Sequence, residues 1–169
     1  MNIRFNAFST LQLLFILSTP LFFNPTVSAQ CHTFSEVTKF LNSAISANDR
    51  IGLAIAMDGN TAAIGAVGEN PSSVYIAERS NGDWIETQRI MGSNGTNFGH
   101  SVAIEGNRLV IGAPFLEQAF VYEKNNGVWS LIRTLEANDK VLGNQFGISV
   151  DISGTRVVVG ANGVNNFTG

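Results

Sequence analysis

One sequence pattern occurs three times in this chain, and it constrains the fold more than any other feature. Each copy begins with an apolar residue followed by glycine, and it continues through two short apolar runs to a second glycine followed by alanine. The copies start at Ile51, Phe98 and Phe146, at spacings of 47 and 48 residues. A fixed period of this length is typical of repeat proteins, in which each unit buries its apolar surface against its neighbour.

The two apolar runs of each copy predict two β-strands joined by a tight turn. Large residues alternate with small ones from Leu53 to Met57, and a period of two residues is typical of a strand. The second run, for example Leu109 to Ile111, is apolar without alternation, which indicates a strand buried on both faces. A glycine turn such as Glu105-Gly106 separates the runs and favours a short hairpin.

Two more strands are predicted in each of the first two copies. They are separated by Asn81-Gly82 in one copy and by Asn126-Gly127 in the other, and Asn-Gly between apolar runs is a strong hairpin signal. The predicted units are residues 48–94, 95–142 and a partial unit at 143–169.

Residues 30–47 precede the first complete unit and are predicted to hold the last strand of an earlier one. Phe34 lies 17 residues before Ile51, which equals the step from Trp129 to Phe146. A helix over 34–45 is the competing interpretation, because the apolar spacing there is loosely helical.

The pattern Phe98-Gly99 with Gly112-Ala113-Pro114, followed by Val121-Tyr122 and Trp129, resembles the FG-GAP repeat of integrin α-subunit propellers and of many exported proteins. The resemblance covers residues 34–161. It implies an all-β fold, a partial β-propeller with four-stranded antiparallel blades of about 47 residues, with roughly two complete blades plus flanking strands.

The N-terminal segment differs in composition and predicts export. Arg4 is followed by an apolar stretch from Leu11 to Phe23 and by small residues up to Ala29, which is typical of a signal peptide spanning residues 1–29. An N-terminal membrane anchor is the alternative, but the stretch is short for a bilayer span. After cleavage no membrane span is expected, and the mature chain is predicted to be secreted, or in the periplasm or at the cell surface of a bacterium.

Charge and residue chemistry argue against several functions. A net charge of −3 gives no basic surface for nucleic acid. Some family members hold calcium in an acidic loop between the first and second strands; the turn at Glu105-Gly106 offers too few oxygen ligands, so no metal and no cofactor are expected. His100 is at a position taken by Leu53 and Ile148 in the other copies, which favours a structural role. The single cysteine, Cys31, is expected to stay a free thiol or to pair with another chain.

No catalytic residues are predicted, because the acidic side chains fall mainly in turns that are expected to be solvated, and we expect a non-enzymatic protein. Its candidate ligand-binding residues lie in the polar loops that enter each first strand, because loops on a rigid scaffold often carry binding residues. These residues are Asp49, Arg50, Thr96, Asn97, Asn144 and Gln145. Asn94 and Asn166 begin N-glycosylation sequons that are relevant if the source is eukaryotic.

The expected function is therefore an exported adhesion or binding module for a protein or glycan at a cell surface. The alternatives are a truncated piece of a longer propeller without independent activity and a propeller enzyme acting on polysaccharide. A four-bladed ring at this repeat length needs roughly 190 residues. The repeat stack is thus expected to expose an apolar blade face at each end, and two chains are expected to close on each other as a dimer, or to be poorly soluble if the chain is a fragment.

Overall fold

The computed structural model describes residues 46, 48–139 and 141–163. Ten strands form three antiparallel sheets, which we call blades 1, 2 and 3, in the strand orders β1-β2-β3-β4, β5-β6-β7-β8 and β9-β10. The strands are β1 (Ile51–Asp58), β2 (Thr61–Ala66), β3 (Ser73–Ser80), β4 (Asp83–Met91), β5 (Ser101–Glu105), β6 (Arg108–Ala113), β7 (Gln118–Asn125), β8 (Val128–Leu135), β9 (Ser149–Ser153) and β10 (Arg156–Gly160).

This architecture confirms the predicted all-β fold with four-stranded antiparallel blades, consistent with a partial propeller. A single 3₁₀ turn, Pro114–Leu116, interrupts the strands of the described chain. The predicted strand beginning at Phe34, and its helical alternative, lie outside the described residues.

The hairpin turns have the backbone conformation that their sequences predict. Asn81 and Gly82 have φ values of 53° and 98°, and the Asn-Gly turn between β7 and β8 repeats this pair. Two successive positive φ values match the right-handed twist of a short hairpin. Gly106 in the β5–β6 turn also has a positive φ of 55°, as a residue without a side chain readily does.

Adjacent blades are joined by two apolar cores, one between each pair. The first core contains Ala63, Val74, Ile76, Ile90, Phe98, Leu109, Ile111, Ala113, Tyr122 and Trp129. The second contains Ala103, Val110, Ala119, Val121 and Ile152. Each blade therefore has a leading face toward the preceding blade and a trailing face toward the next one.

Exposure at the ends of the stack agrees with the expected apolar face of blade 1. It corrects two other expectations, an apolar face at the end of blade 3 and a run at 157–159 that is buried on both faces. The leading face of blade 1 exposes Ile55 and Met57 at 65% and 64%, as expected for a bare apolar strand. The trailing face of blade 3 is mainly polar, because Asp151 and Ser153 lie on it beside Val158. Val158 is 69% exposed, so the prediction that the run 157–159 is buried on both faces was wrong.

Two glycines of each blade boundary bring the backbones into direct contact. A Cβ built on Gly65 would lie 2.1 Å from the carbonyl oxygen of Gly99, and one on Gly112 would lie 2.0 Å from that of Gly147. The first member of each pair is the glycine of the Gly-Ala pattern, and the second is the glycine that opens the next repeat. Both recurring glycines are thus required by the close approach of neighbouring inner strands.

We expect Gly112→Ala to lower the free energy of unfolding by about 3 kcal/mol, because the added methyl group meets a backbone carbonyl that only a shift of the blades can move. Gly106→Asn is the control: nothing lies within 4 Å of a Cβ there, and asparagine tolerates a left-handed backbone. Chemical denaturation measures both. Equal losses in the two variants would contradict a steric role for Gly112.

Candidate functional site

The loops that lead into β1, β5 and β9 share one backbone conformation. Arg50, Asn97 and Gln145 have φ values of 50°, 52° and 56°. In each loop the carbonyl oxygen of this residue accepts a hydrogen bond from the N–H three residues later, at 3.0 to 3.3 Å. The candidate binding residues therefore occupy equivalent turns along one side of the repeat stack, which we call the loop rim.

The side chains of the six candidate residues differ in their access to solvent. Arg50 is exposed, whereas Thr96 is buried, and its hydroxyl donates to the carbonyl oxygen of Ser93 at 2.8 Å. Asp49 is half-buried and its carboxylate accepts hydrogen bonds from the backbone and hydroxyl of Ser46. Asn97, Asn144 and Gln145 are half-buried. The rim turns thus use part of their polar groups to hold their own shape.

Glu117 is a residue of the loop rim whose role the sequence did not reveal. It follows the 3₁₀ turn with φ 57° and is only 2% exposed. Its Oε1 accepts the backbone N–H groups of Gly143 and Gln145 at 2.8 Å each, and its Oε2 accepts that of Phe146 at 2.7 Å. Backbone donors of this kind satisfy a buried carboxylate. Glu117 therefore fixes the loop that enters blade 3 from a position in blade 2.

We expect Glu117→Gln to lower the free energy of unfolding by about 2 kcal/mol, because charge-assisted hydrogen bonds to the carboxylate are lost. The amides of Gly143 and Gln145 should also exchange with solvent faster. Glu123→Gln is the control, since that half-exposed carboxylate lies 3.9 Å from Arg108 and such pairs contribute little. An unchanged exchange rate at these two amides would contradict the role of Glu117.

Two shallow pockets lie on the loop rim, one at each blade boundary. The first, of about 430 Å³, is formed by the β2–β3 and β4–β5 loops and is lined by Glu69, Asn70, Asn94 and their neighbours. The second, of about 400 Å³, lies between the β6–β7 and β8–β9 loops and is lined by Phe115, Leu142 and Gln145, among others. Gln145 is the member of the six candidate residues that lines the second pocket.

The second pocket carries an exposed apolar surface. Phe115 is 60% exposed and Leu142 is 81% exposed, and Val141 beside Leu142 is 45% exposed. Neighbouring apolar side chains on loops, with polar groups at the margin, are typical of a surface that contacts a partner. The sequence does not reveal Phe115 and Leu142 as surface residues, because an apolar residue in a loop gives no sign of its exposure.

A polar cluster borders the first pocket. The hydroxyl of Tyr75 donates to Glu69 Oε1 at 2.5 Å, and Arg89 Nη2 donates to Glu69 Oε2 at 2.6 Å. The Arg89 guanidinium also lies 5.2 Å from the centre of the Tyr75 ring. Burial, and then the hydrogen bond to Glu69, raise the pKa of Tyr75 to about 12. Tyr75 is therefore a neutral hydrogen-bond donor at physiological pH.

The alkaline titration of the chain should report this environment. Tyr75 and Tyr122 are its two tyrosines, and burial raises the pKa of Tyr122 as well. Because the unfolded chain then loses these protons first, folding stability should fall as the pH rises from about 10 toward 12. Tyrosinate absorbance should rise at higher pH in the native protein than in denaturant, and Tyr75→Phe should remove the component near pH 12. Coincident native and denatured titrations would contradict this environment.

The rim opposite the loop rim is formed by the β1–β2, β5–β6 and β9–β10 turns. The Asp58 carboxylate accepts the N–H of Gly106 at 2.6 Å, and the Glu105 carboxylate accepts that of Gly154 at 2.5 Å. Both residues are exposed, as expected for solvated turns, and each carboxylate also bonds to the equivalent turn of the following blade. Among the described residues no three His, Cys, Asp or Glu side chains are grouped as a metal site would require.

The remaining candidate residues have these positions. His100 lies just before β5 and is half-buried, and its Nδ1 is buried without a hydrogen-bond partner. Asn94 is exposed in the β4–β5 loop, where a glycan would have room. Asn166 and Cys31 lie outside the described residues. The part of the chain that the structure describes has no helix long and apolar enough to cross a membrane.

Comparison with known proteins identifies the repeat. A family model described as the FG-GAP repeat matches residues 34–77, 84–127 and 129–169. The matches begin at Phe34, Trp84 and Trp129, so each matched range starts in the sequence of a predicted outer strand. A comparison with curated proteins finds no match.

Proposed function

This chain belongs to the FG-GAP repeat family, and we propose that it is an exported, non-enzymatic recognition module that binds a protein or a glycan at a cell surface. The predicted signal peptide at residues 1–29 supports export, as does the extracellular location typical of such repeats. The exposed pair Phe115 and Leu142, which lines one pocket of the loop rim, is the observation that carries the binding role.

The construction of the loop rim supports binding by a preformed surface. Glu117 holds the loop before blade 3 through three backbone N–H groups, and the adjacent turns repeat one conformation. A fixed loop loses little conformational freedom when a ligand binds, so more of the contact energy appears as affinity. Exposed aromatic and aliphatic side chains then supply the apolar contacts typical of the centre of an interface.

Two acidic residues at the loop rim are engaged in hydrogen bonds within the chain, and this supports a binding role over a catalytic one. Glu117 is occupied by backbone donors, and Glu69 is occupied by Tyr75 and Arg89. A glycosidase of the usual kind needs two carboxyl groups that face each other across a substrate. These two carboxylates instead serve to hold the rim in place.

Binding can be tested on glycan arrays and on a panel of immobilised cell-surface protein ectodomains. We expect the wild-type chain to bind a member of one panel and the double variant Phe115→Ser, Leu142→Ser to bind at least about tenfold more weakly, because it loses the apolar contacts of the pocket. The matched control is Val128→Ser, Leu131→Ser, which changes exposed apolar residues of β8 and should bind as the wild type does.

Two results would contradict the proposal. The first is equal binding by the rim variant and the wild type, which would place the ligand elsewhere on the chain. The second is release of reducing sugar from a soluble polysaccharide by the wild-type chain, which would favour the enzyme alternative.

A further inference from the structure

We infer that the trailing face of blade 3 binds the leading face of blade 1 of a second copy of this chain, so that two copies associate head to tail. The contact would repeat the one already present between blades 2 and 3. The inference rests on the matching residues of these faces, and it is independent of what the loop rim binds.

The contact between blades 2 and 3 combines the second apolar core with a small set of polar and backbone groups at the inner strands. Ser101 Oγ donates to the carbonyl oxygen of Gly147 at 2.8 Å. Arg108 Nη1 donates to the carbonyl oxygen of Gly154 at 3.1 Å. Gly112 allows the carbonyl of Gly147 to approach.

The trailing face of blade 3 presents the same residue types at the same repeat positions. Ser149, Arg156 and Gly160 correspond to Ser101, Arg108 and Gly112, since each lies 48 residues further along the chain. Ser149 pairs with Gly160 across β9 and β10, as Ser101 pairs with Gly112 across β5 and β6. Ser149 and Arg156 are exposed, so the donors of a blade contact are present and accessible.

The leading face of blade 1 presents the matching acceptors. Gly52 and Gly59 correspond to Gly147 and Gly154, and their φ values of 86° and 56° compare with 97° and 57°. The two glycines of blade 1 therefore share their repeat positions and their positive φ values with the glycines whose carbonyl groups accept the bonds from blade 2. The same face carries Ile55 and Met57, which correspond to Val150 and Ile152, the residues of β9 that pack against blade 2.

These two observations favour a second copy as the occupant of both faces. The exposed apolar stripe on blade 1 fits a trailing face of the kind that blade 2 presents to blade 3, with serine, arginine and glycine at fixed positions, and blade 3 of another copy supplies such a face. Such a contact is heterologous, and in a pair of chains it is made twice, which closes the assembly. The described residues of two copies hold six sheets, four of them with four strands and two with two strands, and six is within the usual range of about four to eight sheets in a propeller.

One residue departs from the match and provides a gain-of-function test. Asp151 stands where blade 2 has Ala103, and the Ala103 side chain is buried in the second core. Asp151 is exposed and its Oδ1 accepts the N–H of Ile152 at 2.9 Å. Covering a carboxylate with an apolar face weakens association, so Asp151→Ala should tighten it.

The experiment is light scattering during size-exclusion chromatography of the full chain, expressed for export and purified. We expect twice the chain mass at micromolar concentration and a dissociation constant about tenfold lower for Asp151→Ala. Val158→Asp and Ile55→Asp should each raise the dissociation constant about tenfold or more, since both residues are exposed on opposite end faces. Val128→Asp is the matched control for Val158→Asp, because Val128 is 55% exposed in the outer strand β8 and should leave the dimer unchanged.

The outcomes separate the alternatives. A wild-type chain and an Asp151→Ala variant that are both monomeric at micromolar concentration would overturn the proposal. Loss of the dimer in only one of Val158→Asp and Ile55→Asp would also overturn it, because it would indicate an interface formed by two copies of the same face. Circular dichroism checks that each variant keeps the β-sheet spectrum. Gly160→Ala should weaken association without changing that spectrum, because the three atoms nearest to its added methyl group within the chain all belong to Ser149, and the nearest is the hydroxyl oxygen of that flexible side chain.

Discussion

The structure depends on the direct approach of backbone to backbone at each blade boundary. A carbonyl oxygen that opens one repeat lies where the side chain of Gly65 or Gly112 in the preceding repeat would be. This approach sets the separation of the inner strands, and the apolar residues of β5 and β9 can then reach the blade before them. The outer strands of neighbouring blades are then also in contact. The Gln88 side chain in β4, for example, exchanges two hydrogen bonds with the backbone of Trp129 in β8. A larger residue at either glycine would separate all of these contacts together.

Hydrogen bonds that carboxylates accept across the blade boundaries stabilise both rims of the stack. At one rim Asp58 and Glu105 each bond to a glycine N–H of the next blade, and at the other Glu117 bonds to three N–H groups of the loop before blade 3. All of these donors are backbone groups, which strands and turns place with little freedom. These acidic side chains in loops and turns therefore stabilise the contacts between blades. The shape of the loop rim depends on how the sheets stack.

The repeat pattern predicted the strands and the hairpin turns, because those features depend on residues close together in sequence, and it predicted the stacking because the same apolar pattern recurs in each unit. It could not predict the role of Glu117, whose partners Gly143 and Phe146 lie 26 and 29 residues away, or that of Glu105, whose partner lies 49 residues away. Such contacts depend on the rotation between blades, which a periodic pattern does not specify. The exposure of Leu142 was missed because an apolar residue in a loop gives no sign of its exposure.

The positions of the two pockets connect the stacking of the blades to the proposed binding. Each pocket is built from a loop within one blade and the loop that connects this blade to the next, so a pocket belongs to a blade boundary and not to a blade. A head-to-tail partner adds boundaries of the same kind, at the contact of each blade 3 with a blade 1. Pockets repeated around one rim could engage a repetitive glycan or a clustered receptor at several points, and the resulting avidity can exceed single-site affinity by orders of magnitude without any new type of contact. Weak binding at a shallow pocket and association through the end faces would thus act together, although different residues carry them.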